Sequence, residues 1–569
     1  MEATPRPVQS FGGAKTIGFF SSIILLINNI TGPGIPGLPN MFVEAGWLVP
    51  VLILLAVWFM TTLSACMFCE AMERIPGNAG FRNRAEYATV VGHYFGRRAS
   101  FVAQVGLNGA LQSLNIISVV QSAQVMDVAI SAIFGKTCAL NLTPYQNVLS
   151  GHVVSGSAKF LSCIDTSNLS SGNGWGCHVV LSLGFVLTGA MAIPCGRWNL
   201  DDNMIIQRGA FVLTVCCWLV WLVASLSSLG GDAHGGSGNT TWASTSYLPA
   251  INTNPTTGSV AGVLGTILFN FGFVTTVPSW VNEKRQSTRV NPALWSATSL
   301  CVGIFAMMGI PAAIAFAPVL KGTVTGTCKH QLVDPDFSCA NDLMQLLTQP
   351  STAPWQSSRV ATFILQASVY MFPIVAVVSS IPVFSIVVKY NLIGNGFSRR
   401  FSFFIGVVLP WAVAFPLVYV PDILAQFINF TSLLFVAFTD FIVPFSLYIV
   451  LQRRPKPLSN LDSVSSSSCQ AVGTSSASPA PLLGAAAGTS TVDRTEQSDT
   501  TYEGLGADVP APHKAFPSCC EYDGASAHKS ALAALLGTAL TILALVATYL
   551  TIAQGSYTFD QTTCALVGN

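Results

Sequence analysis

Long apolar runs separated by short polar segments cover most of this chain and predict membrane-spanning helices. A bilayer core needs about 20 apolar residues for each helical crossing. We predict eleven spans, several of them long enough to require tilting or kinking. They cover residues 16–45, 47–73, 100–134, 178–195, 209–229, 259–281, 293–318, 359–388, 401–420, 423–451 and 531–553.

Span 1 is interrupted by the stretch NNITGPGIPGLPN, residues 28–40, in which helix-breaking Gly and Pro accumulate. Unpaired backbone is costly in lipid, so such a break needs a protein or water environment. The half-helix before the gap ends in free carbonyls, which suit a cation, and the next half starts with free N–H groups, which suit a carboxylate. The gap therefore indicates a site for an amino acid, or for a substrate with a coupling ion. A kinked helix without a ligand is the alternative.

Composition supports a polytopic membrane protein. Charged residues make up 9% of the chain, against about 25% in an average soluble domain. The net charge is +1 and no basic patch with interleaved aromatic residues occurs, so nucleic-acid binding has no support. The sequence shows no metal-ligand cluster and no nucleophile motif. We expect a protein that is not an enzyme, without catalytic residues, cofactor or structural metal.

The distribution of Lys and Arg predicts the orientation. With a cytosolic N-terminus, 21 of the 26 Lys and Arg residues lie on the cytosolic side, and the C-terminus is outside. Three glycosylation sequons, at Asn141, Asn168 and Asn239, then fall in outside loops. Cys328 and Cys339 share one outside loop and form the predicted disulfide, with free thiols as the alternative.

The domain organisation follows from the span count. Residues 1–451 form a ten-span core, residues 452–529 a disordered cytosolic segment rich in Ser, Ala and Pro, and residues 530–569 the eleventh span with a short outside tail. Ten spans divide into two sets of five, about 16–229 and 259–451, and an odd number makes the second set inverted. Transporters with inverted repeats carry broken helices at matching positions. Span 6, with its stretch FNFGFVTTVP, fits this expectation.

Polar residues in the other predicted spans each allow more than one interpretation. Ser379 and Ser380 in span 8 suit a sodium ion or bond to their own helix. Asn108, Gln112 and Asn115 share one face of span 3 and line a cavity or join neighbouring helices. Asp440 titrates with a coupling proton, or it caps a helix or pairs with a neighbouring helix; the structural interpretations are favoured. Glu283 and Lys284 form a gate pair or a solvated loop.

Three stretches resemble the amino acid/auxin permease family, and within it the sodium-coupled neutral amino acid transporters: NNITGPGIPGLPNMFVEAGW, FNFGFVTTVPSWVNEK and SSIPVFSIVVKYNL. The resemblance implies an all-α polytopic membrane protein with eleven helices and a LeuT-like five-plus-five inverted repeat, with broken helices 1 and 6. Departures are Pro33 and Pro36, the lack of a histidine in span 6, and serines where threonine is more usual in span 8.

The resemblance also implies functional residues. The sodium ligands would be Asn28, Asn29, Ser379 and Ser380. The substrate contacts taken from the broken helices and span 3 would be Thr31, Gly32, Gly34, Gly37, Asn108, Gln112, Phe269, Asn270, Gly272 and Thr275.

We therefore expect a secondary active transporter of amino acids that works by alternating access, with neutral amino acids as the favoured substrates. Coupling to Na⁺ is favoured over coupling to H⁺, because oxygen ligands are more numerous than titratable groups. A membrane amino acid sensor that does not transport is the alternative. The expected partners are the amino acid and the lipid bilayer; the oligomeric state is open. We expect the plasma membrane, with a vacuolar or lysosomal membrane as the alternative.

Overall fold

The fold is described from a computed structural model, in which most of the described residues are helical. The described residues are 15–142, 161–165, 180–230, 248–251, 260–320, 340, 342–348, 359–418, 430–453, 513–516, 528–539, 541–542, 557–560 and 565–568.

Eight helices in the described part of the chain are long and apolar enough to cross a membrane, and a bent pair of helices adds a ninth. The molecule is therefore a helical polytopic membrane protein, as the sequence predicted. Span 4 contains a 13-residue apolar helix, Leu183–Cys195. The predicted span 11 is only partly described, with helix over 528–539 and 541–542.

The elements of the first five spans are short half-helices followed by long helices. They are α1 Phe19–Ile30, a 3-10 turn Ile35–Gly37, α2 Leu38–Ala45, α3 Leu48–Glu73, a 3-10 turn Ala79–Phe81, α4 Tyr87–Phe95, α5 Arg97–Phe134, β1 Lys136–Asn141, β2 Leu161–Asp165, β3 Val180–Ser182, α6 Leu183–Cys195 and α7 Leu200–Gly230.

The later elements include several π-helical turns, which interrupt spans 8, 9 and 10. They are α8 Val260–Asn270, a 3-10 turn Val274–Thr276, α9 Val277–Glu283, α10 Val290–Phe316, α11 Leu343–Thr348, α12 Arg359–Phe372, a π turn Pro373–Val377, α13 Val378–Gly394, α14 Arg399–Phe403, a π turn Phe404–Val408, α15 Leu409–Ala414, a 3-10 turn Phe415–Leu417, π turns Ser432–Val436 and Phe438–Ile442, α16 Val443–Arg453, β4 Tyr557–Asp560 and β5 Ala565–Gly568.

Span 1 is broken where Gly and Pro accumulate. Helix α1 ends at Ile30, and the chain bends by 58° before it continues in α2. Both the backbone N–H and the hydroxyl of Thr31 donate to the carbonyl of Ile27, at 2.7 Å each, and so close the last turn. Pro36 and Pro39 occupy first-turn positions of the following helices, where a missing N–H costs nothing.

Span 6 repeats this construction. Helix α8 ends at Asn270, three non-helical residues follow, and a 3-10 turn leads into α9. Pro278 lies in the first turn of α9. Each broken span thus consists of a half-helix, a gap, a 3-10 turn and a second half-helix started by proline. The predicted correspondence between spans 1 and 6 is present in their local structure.

A small antiparallel sheet with strand order β2-β1-β3 follows span 3. The sequence did not predict it. Cys138 on β1 and Cys163 on β2 lie opposite each other and form a disulfide. Cys328 and Cys339 lie outside the described residues, so their pairing stays a prediction. Of the sequon residues, Asn141 is the last residue of β1, while Asn168 and Asn239 also lie outside the described part.

Four residues of the segment predicted to be disordered, His513 to Phe516, are packed against the helical core. Ala515 is 8% exposed. They lie at the same end of the molecule as Glu283, because the ring of His513 is 6.2 Å from that of Phe81 and Phe81 lies 5.1 Å below the ammonium of Lys284. We call this end the Glu283 end.

Candidate functional site

The two broken spans contact each other at their gaps. A methyl group placed on Gly34 would lie 2.4 Å from Oδ1 of Asn270, so only a hydrogen allows this approach. A few residues away, the side-chain amide of Asn29 donates to the hydroxyl of Thr276 at 3.2 Å. The sequence predicted that both gaps contribute to one site, and the structure places them in contact.

Span 3 reaches the same place through Gln121. Its side-chain amide donates to the carbonyl of Pro33 at 3.3 Å, and the bond is buried. Gln121 was not among the predicted site residues. Its sequence signal is that it is one of several amide side chains in an otherwise apolar span. The contact also accounts for one polar group of the gap, because the Pro33 carbonyl gains a donor from another helix.

Several buried polar atoms around the two gaps have no hydrogen-bond partner within the described part of the chain. They are Asn29 Oδ1, Gln121 Oε1, Asn270 Oδ1 and Thr275 Oγ1. An unsatisfied buried polar group costs about 1–3 kcal/mol. A methyl group placed on Gly32 or Gly37 would meet no atom within 4 Å, so there is space beside them. Unpaired polar atoms next to open backbone are what a small polar ligand would satisfy.

The positive end of the second half of span 6 is already occupied. The carboxylate of Asp440, fully buried in span 10, accepts a hydrogen bond from the N–H of Val274 at 3.1 Å and one from its neighbour Thr439. Asp440 therefore makes the capping contact that the favoured interpretation expected. Because the N–H of Val274 is already bound, the free N–H groups of the span 1 gap are the better partners for a ligand carboxylate.

Two of the predicted sodium ligands, Asn28 and Ser379, lie on the two sides of Gln207 in α7, whereas Asn29 faces Thr276 of span 6. The Asn28 amide donates to the backbone and side-chain oxygens of Gln207, at 3.0 and 2.7 Å, and the Gln207 amide donates to the carbonyl of Ser379 at 2.7 Å. Gln207 was missed because it precedes predicted span 5 and has no motif around it.

The serine hydroxyls of span 8 bond to their own helix. Ser379 donates to the carbonyl of Ala376 at 3.1 Å and Ser380 to that of Val377 at 2.7 Å. This is the second interpretation weighed from the sequence. Donation uses the hydroxyl proton and leaves oxygen lone pairs, so both oxygens can still face a cation.

The predicted contact Gln112 and its neighbour on the same face of span 3, Asn115, bond to other helices. Gln112 donates to the carbonyl of Ile405 in span 9 at 2.7 Å, and Asn115 donates to the hydroxyl of Ser385 in span 8 at 3.3 Å. Both join helices, as the alternative interpretation held. Asn108 has a buried Oδ1 without a partner in the described structure.

Two further predicted substrate contacts of span 6, Phe269 and Gly272, are packed against other residues. Phe269 is 1% exposed, and Gly272 lies against Val436 of span 10.

The Glu283 end holds a network of buried charges. Glu283 faces Arg84 at 3.6 Å and accepts from the N–H of Asp201 at 3.0 Å. Lys284 instead donates to the carbonyl of Thr288 and lies over Phe81. Both interpretations of Glu283 and Lys284 are therefore wrong: the two side chains are buried and have different partners, and Glu283 faces an arginine from the loop before α4.

Glu86, at the start of α4, is a second carboxyl at this end. It accepts from the hydroxyl of Ser279 at 2.6 Å and from the amides of Asn282 at 2.9 Å and Asn391 at 3.4 Å. Burial raises the pKa of Glu86 to about 7, against the lowering effects of Ser279, Asn282 and Arg84. The residue joins α4 to spans 6 and 8 and was not singled out from the sequence.

An apolar groove of about 340 Å³ lies elsewhere, between α6 and Trp411 of span 9. It is lined by Phe185, Gly189 and Ile193 among others and shares no residue with the two gaps.

Comparison with known proteins bears on the first part of the chain. The model of the tryptophan/tyrosine permease family matches residues 15–187, which include the whole span 1 gap and Gln121. The chain resembles amino acid permeases. The permease-like part extends from the first half-helix into α6, so the resemblance read from the sequence is confirmed at the level of an amino acid permease-type family.

A curated relative agrees with this finding. Vacuolar amino acid transporter 5 of Schizosaccharomyces pombe is 37% identical to the chain over 78 residues, which is 14% of this chain. The chain thus spans 17% of the length of that relative.

Proposed function

We propose that this chain is a secondary active transporter of amino acids, with neutral amino acids as the favoured substrates, and that the ligand binds between the gaps of spans 1 and 6. The observation that carries the proposal is the set of unpartnered polar atoms around Gly34 and Asn270. The permease resemblance of residues 15–187 supports transport, and the name of the fission yeast relative supports amino acids as the cargo.

Within the site, we assign the ligand carboxylate to the N–H groups of Gly32 and Gly34. The N–H groups of Ile35 and Gly37 already donate to backbone carbonyls of the same gap, and residues 33 and 36 are prolines. In span 6, the N–H of Val274 is already bound by Asp440. The ligand ammonium would face the carbonyls at the end of α1 and the oxygens of Asn29 and Asn270, which are partial negative charges. A neutral side chain fits because no fixed charge of the described residues lies at the gaps apart from the capping Asp440.

We propose Na⁺ as the coupling ion, with H⁺ as the alternative. Its ligands would be oxygens of Asn28, Asn29, Ser379 and Ser380, with Gln207 holding the two groups in register. Hard cations prefer oxygen ligands, and this set supplies amide and hydroxyl oxygens.

The proposed architecture is a ten-span core over 1–451, with inverted repeats over about 16–229 and 259–451 and an eleventh span in 530–569. Alternating access would open the gaps first to one side and then to the other. The matching construction of spans 1 and 6 supports the repeat. We place the Glu283 end in the cytosol, because most of the Lys and Arg residues lie on that side. The plasma membrane and a vacuolar membrane both fit this orientation.

The test is uptake of labelled neutral amino acids into proteoliposomes that contain the purified protein, with Na⁺ or choline outside at fixed pH. We expect saturable uptake that falls about tenfold in choline. Ser380→Ala should remove the difference between the two cations. Ser385→Ala is the matched control, because that serine is on the same helix, is buried and bonds to Asn115 instead.

Saturable binding without uptake would replace the transporter by a sensor. Uptake that is equal in choline and in Na⁺ but responds to a pH gradient would replace Na⁺ by H⁺.

A further inference from the structure

A short peptide segment from the far C-terminal part of the chain occupies a groove at the Glu283 end. The N–H of His513 donates to Glu73, and the N–H of Ala515, two residues later, donates to Glu70 at 2.8 Å. The carbonyl of Lys514, between them, accepts from the side chain of Asn291 at 2.7 Å. Alternate backbone groups point to opposite sides, which is the geometry of an extended peptide.

The groove binds this peptide mainly through hydrogen bonds from the peptide's backbone N–H groups to two carboxylates of the groove. Glu70 and Glu73 lie at the end of α3 and are 3% and 8% exposed. Hydrogen bonds from N–H groups to buried carboxylates are among the stronger ones in proteins. Without the peptide, both carboxylates would lose a donor in a poorly solvated place.

Side chains of the segment add contacts to other elements. His513 Nε2 is 3.1 Å from the carbonyl of Cys66, and the ring of Phe516 is 5.9 Å from that of Tyr448 in α16. The segment therefore touches α3, α10 and α16, three helices that come from distant parts of the sequence. Burial lowers the pKa of His513 to about 4, so its imidazole is neutral while it is bound.

The groove is linked through Glu73 to the loop that contributes to the network of buried charges at the Glu283 end. The same carboxylate that binds His513 also accepts from the N–H of Gly80 at 3.0 Å. Gly80 belongs to the loop that ends in Arg84 and Glu86, which hold Glu283 and Ser279 of α9. The segment thus supports the loop that keeps the second half of span 6 in place.

We propose that residues 513–516 are an internal strap that holds the Glu283 end closed and must leave its groove before that end opens. The proposal rests on the alternating access proposed above. Because the strap is part of the same chain, it restrains transport without any second protein, and release of the strap raises the rate at which the end opens.

The test compares two substitutions at Ala515, in the full-length protein reconstituted in liposomes. Ala515→Asp places a third carboxylate beside Glu70 and Glu73 and should expel the strap. Ala515→Gly keeps the N–H donor, adds no bulk and should behave like the unsubstituted chain. Both are made with Ser279→Cys as reporter, since Ser279 is fully buried behind Glu86.

The measurement is the rate at which a membrane-impermeant maleimide labels the thiol introduced by Ser279→Cys, quantified by mass spectrometry of the peptide that carries it. We expect Ala515→Asp to raise this rate about tenfold, the effect of losing one charge-assisted hydrogen bond from the closed state. A synthetic peptide of residues 511–518, APHKAFPS, should restore protection, and a scrambled peptide should not.

Equal labelling in the Asp and Gly variants, or faster labelling that the peptide does not reverse, would overturn the strap. The labelling rate needs no substrate, so it separates the two proposals. If the proposed transport function is wrong, no variant will take up amino acids. If the proposed strap is wrong, labelling will be the same in the Ala515→Asp and Ala515→Gly variants.

Discussion

Gly34 is the residue at which the two broken helices come closest. Its backbone has ordinary helical angles, φ −81° and ψ −14°, so no special conformation requires a glycine there. The requirement is the side chain of Asn270, which occupies the place of a methyl group. Asn270 is held by a bond from its amide to the carbonyl of Thr266 at 2.8 Å, so making room for a larger residue would break that bond.

We expect Gly34→Ala to lower the initial uptake rate about tenfold, which is the effect of losing one buried hydrogen bond. Gly303→Ala is the control, because Gly303 lies inside helix α10, is not a predicted site residue, and its methyl group would meet nothing within 4 Å. Uptake is measured at equal amounts of reconstituted protein. Comparable loss in both variants would show that an added methyl group impairs uptake wherever it is placed, and that Asn270 is not the reason.

At the scale of elements, α4 is attached to two spans through one carboxyl, that of Glu86. The raised pKa, about 7 against 4.5 for an ordinary glutamate, means that the folded protein binds the proton more tightly than the unfolded chain. The resulting stabilisation is complete below pH 4.5 and is lost as the pH rises through 7. Its size is on the order of 3 kcal/mol.

We therefore compare the melting temperatures of the unsubstituted protein and of Glu86→Gln. The difference in favour of the unsubstituted protein should become smaller as the pH rises from about 5 to about 8. The other titratable groups of this end, among them Arg84, Asp201, Glu283 and Lys284, are all retained in the variant. Asp165→Asn, on exposed strand β2, controls for general effects of removing a carboxyl group. A difference in melting temperature that stays constant over this range would contradict the assignment.

Both breaks were predictable from sequence, because Gly and Pro act on the backbone at their own positions. Contacts between helices were not. Gln207 links Asn28 to Ser379 only because α7 happens to pass between two other spans. The partner of Glu283 was missed for the same reason: the neighbour Lys284 is close in sequence, but Arg84 is close in space. Local chemistry reveals where a helix ends, and tertiary packing decides which side chains meet there.

At the scale of the whole molecule, the strap connects the two ends of the chain. Residues 454–512 separate it from the helical core in sequence, but its groove is built by α3, which lies in the first part of the chain. A truncation after residue 453 would therefore remove an inhibitor together with the predicted eleventh span, and substitutions at Ala515 are the cleaner test.

The disulfide between Cys138 and Cys163 makes a covalent ring of the chain between them, 25 residues apart in sequence. A cut inside a ring does not divide a chain. We therefore expect a protease site inserted after Gly151 to be cleaved on intact cells, since we place this loop outside, and the protein to migrate as one band until it is reduced. With Cys163→Ser, two fragments should separate without reduction. Two bands without reduction from the protein that keeps Cys163 would contradict the disulfide. If the inserted site is not cleaved on intact cells, the loop is not outside and the proposed orientation is wrong.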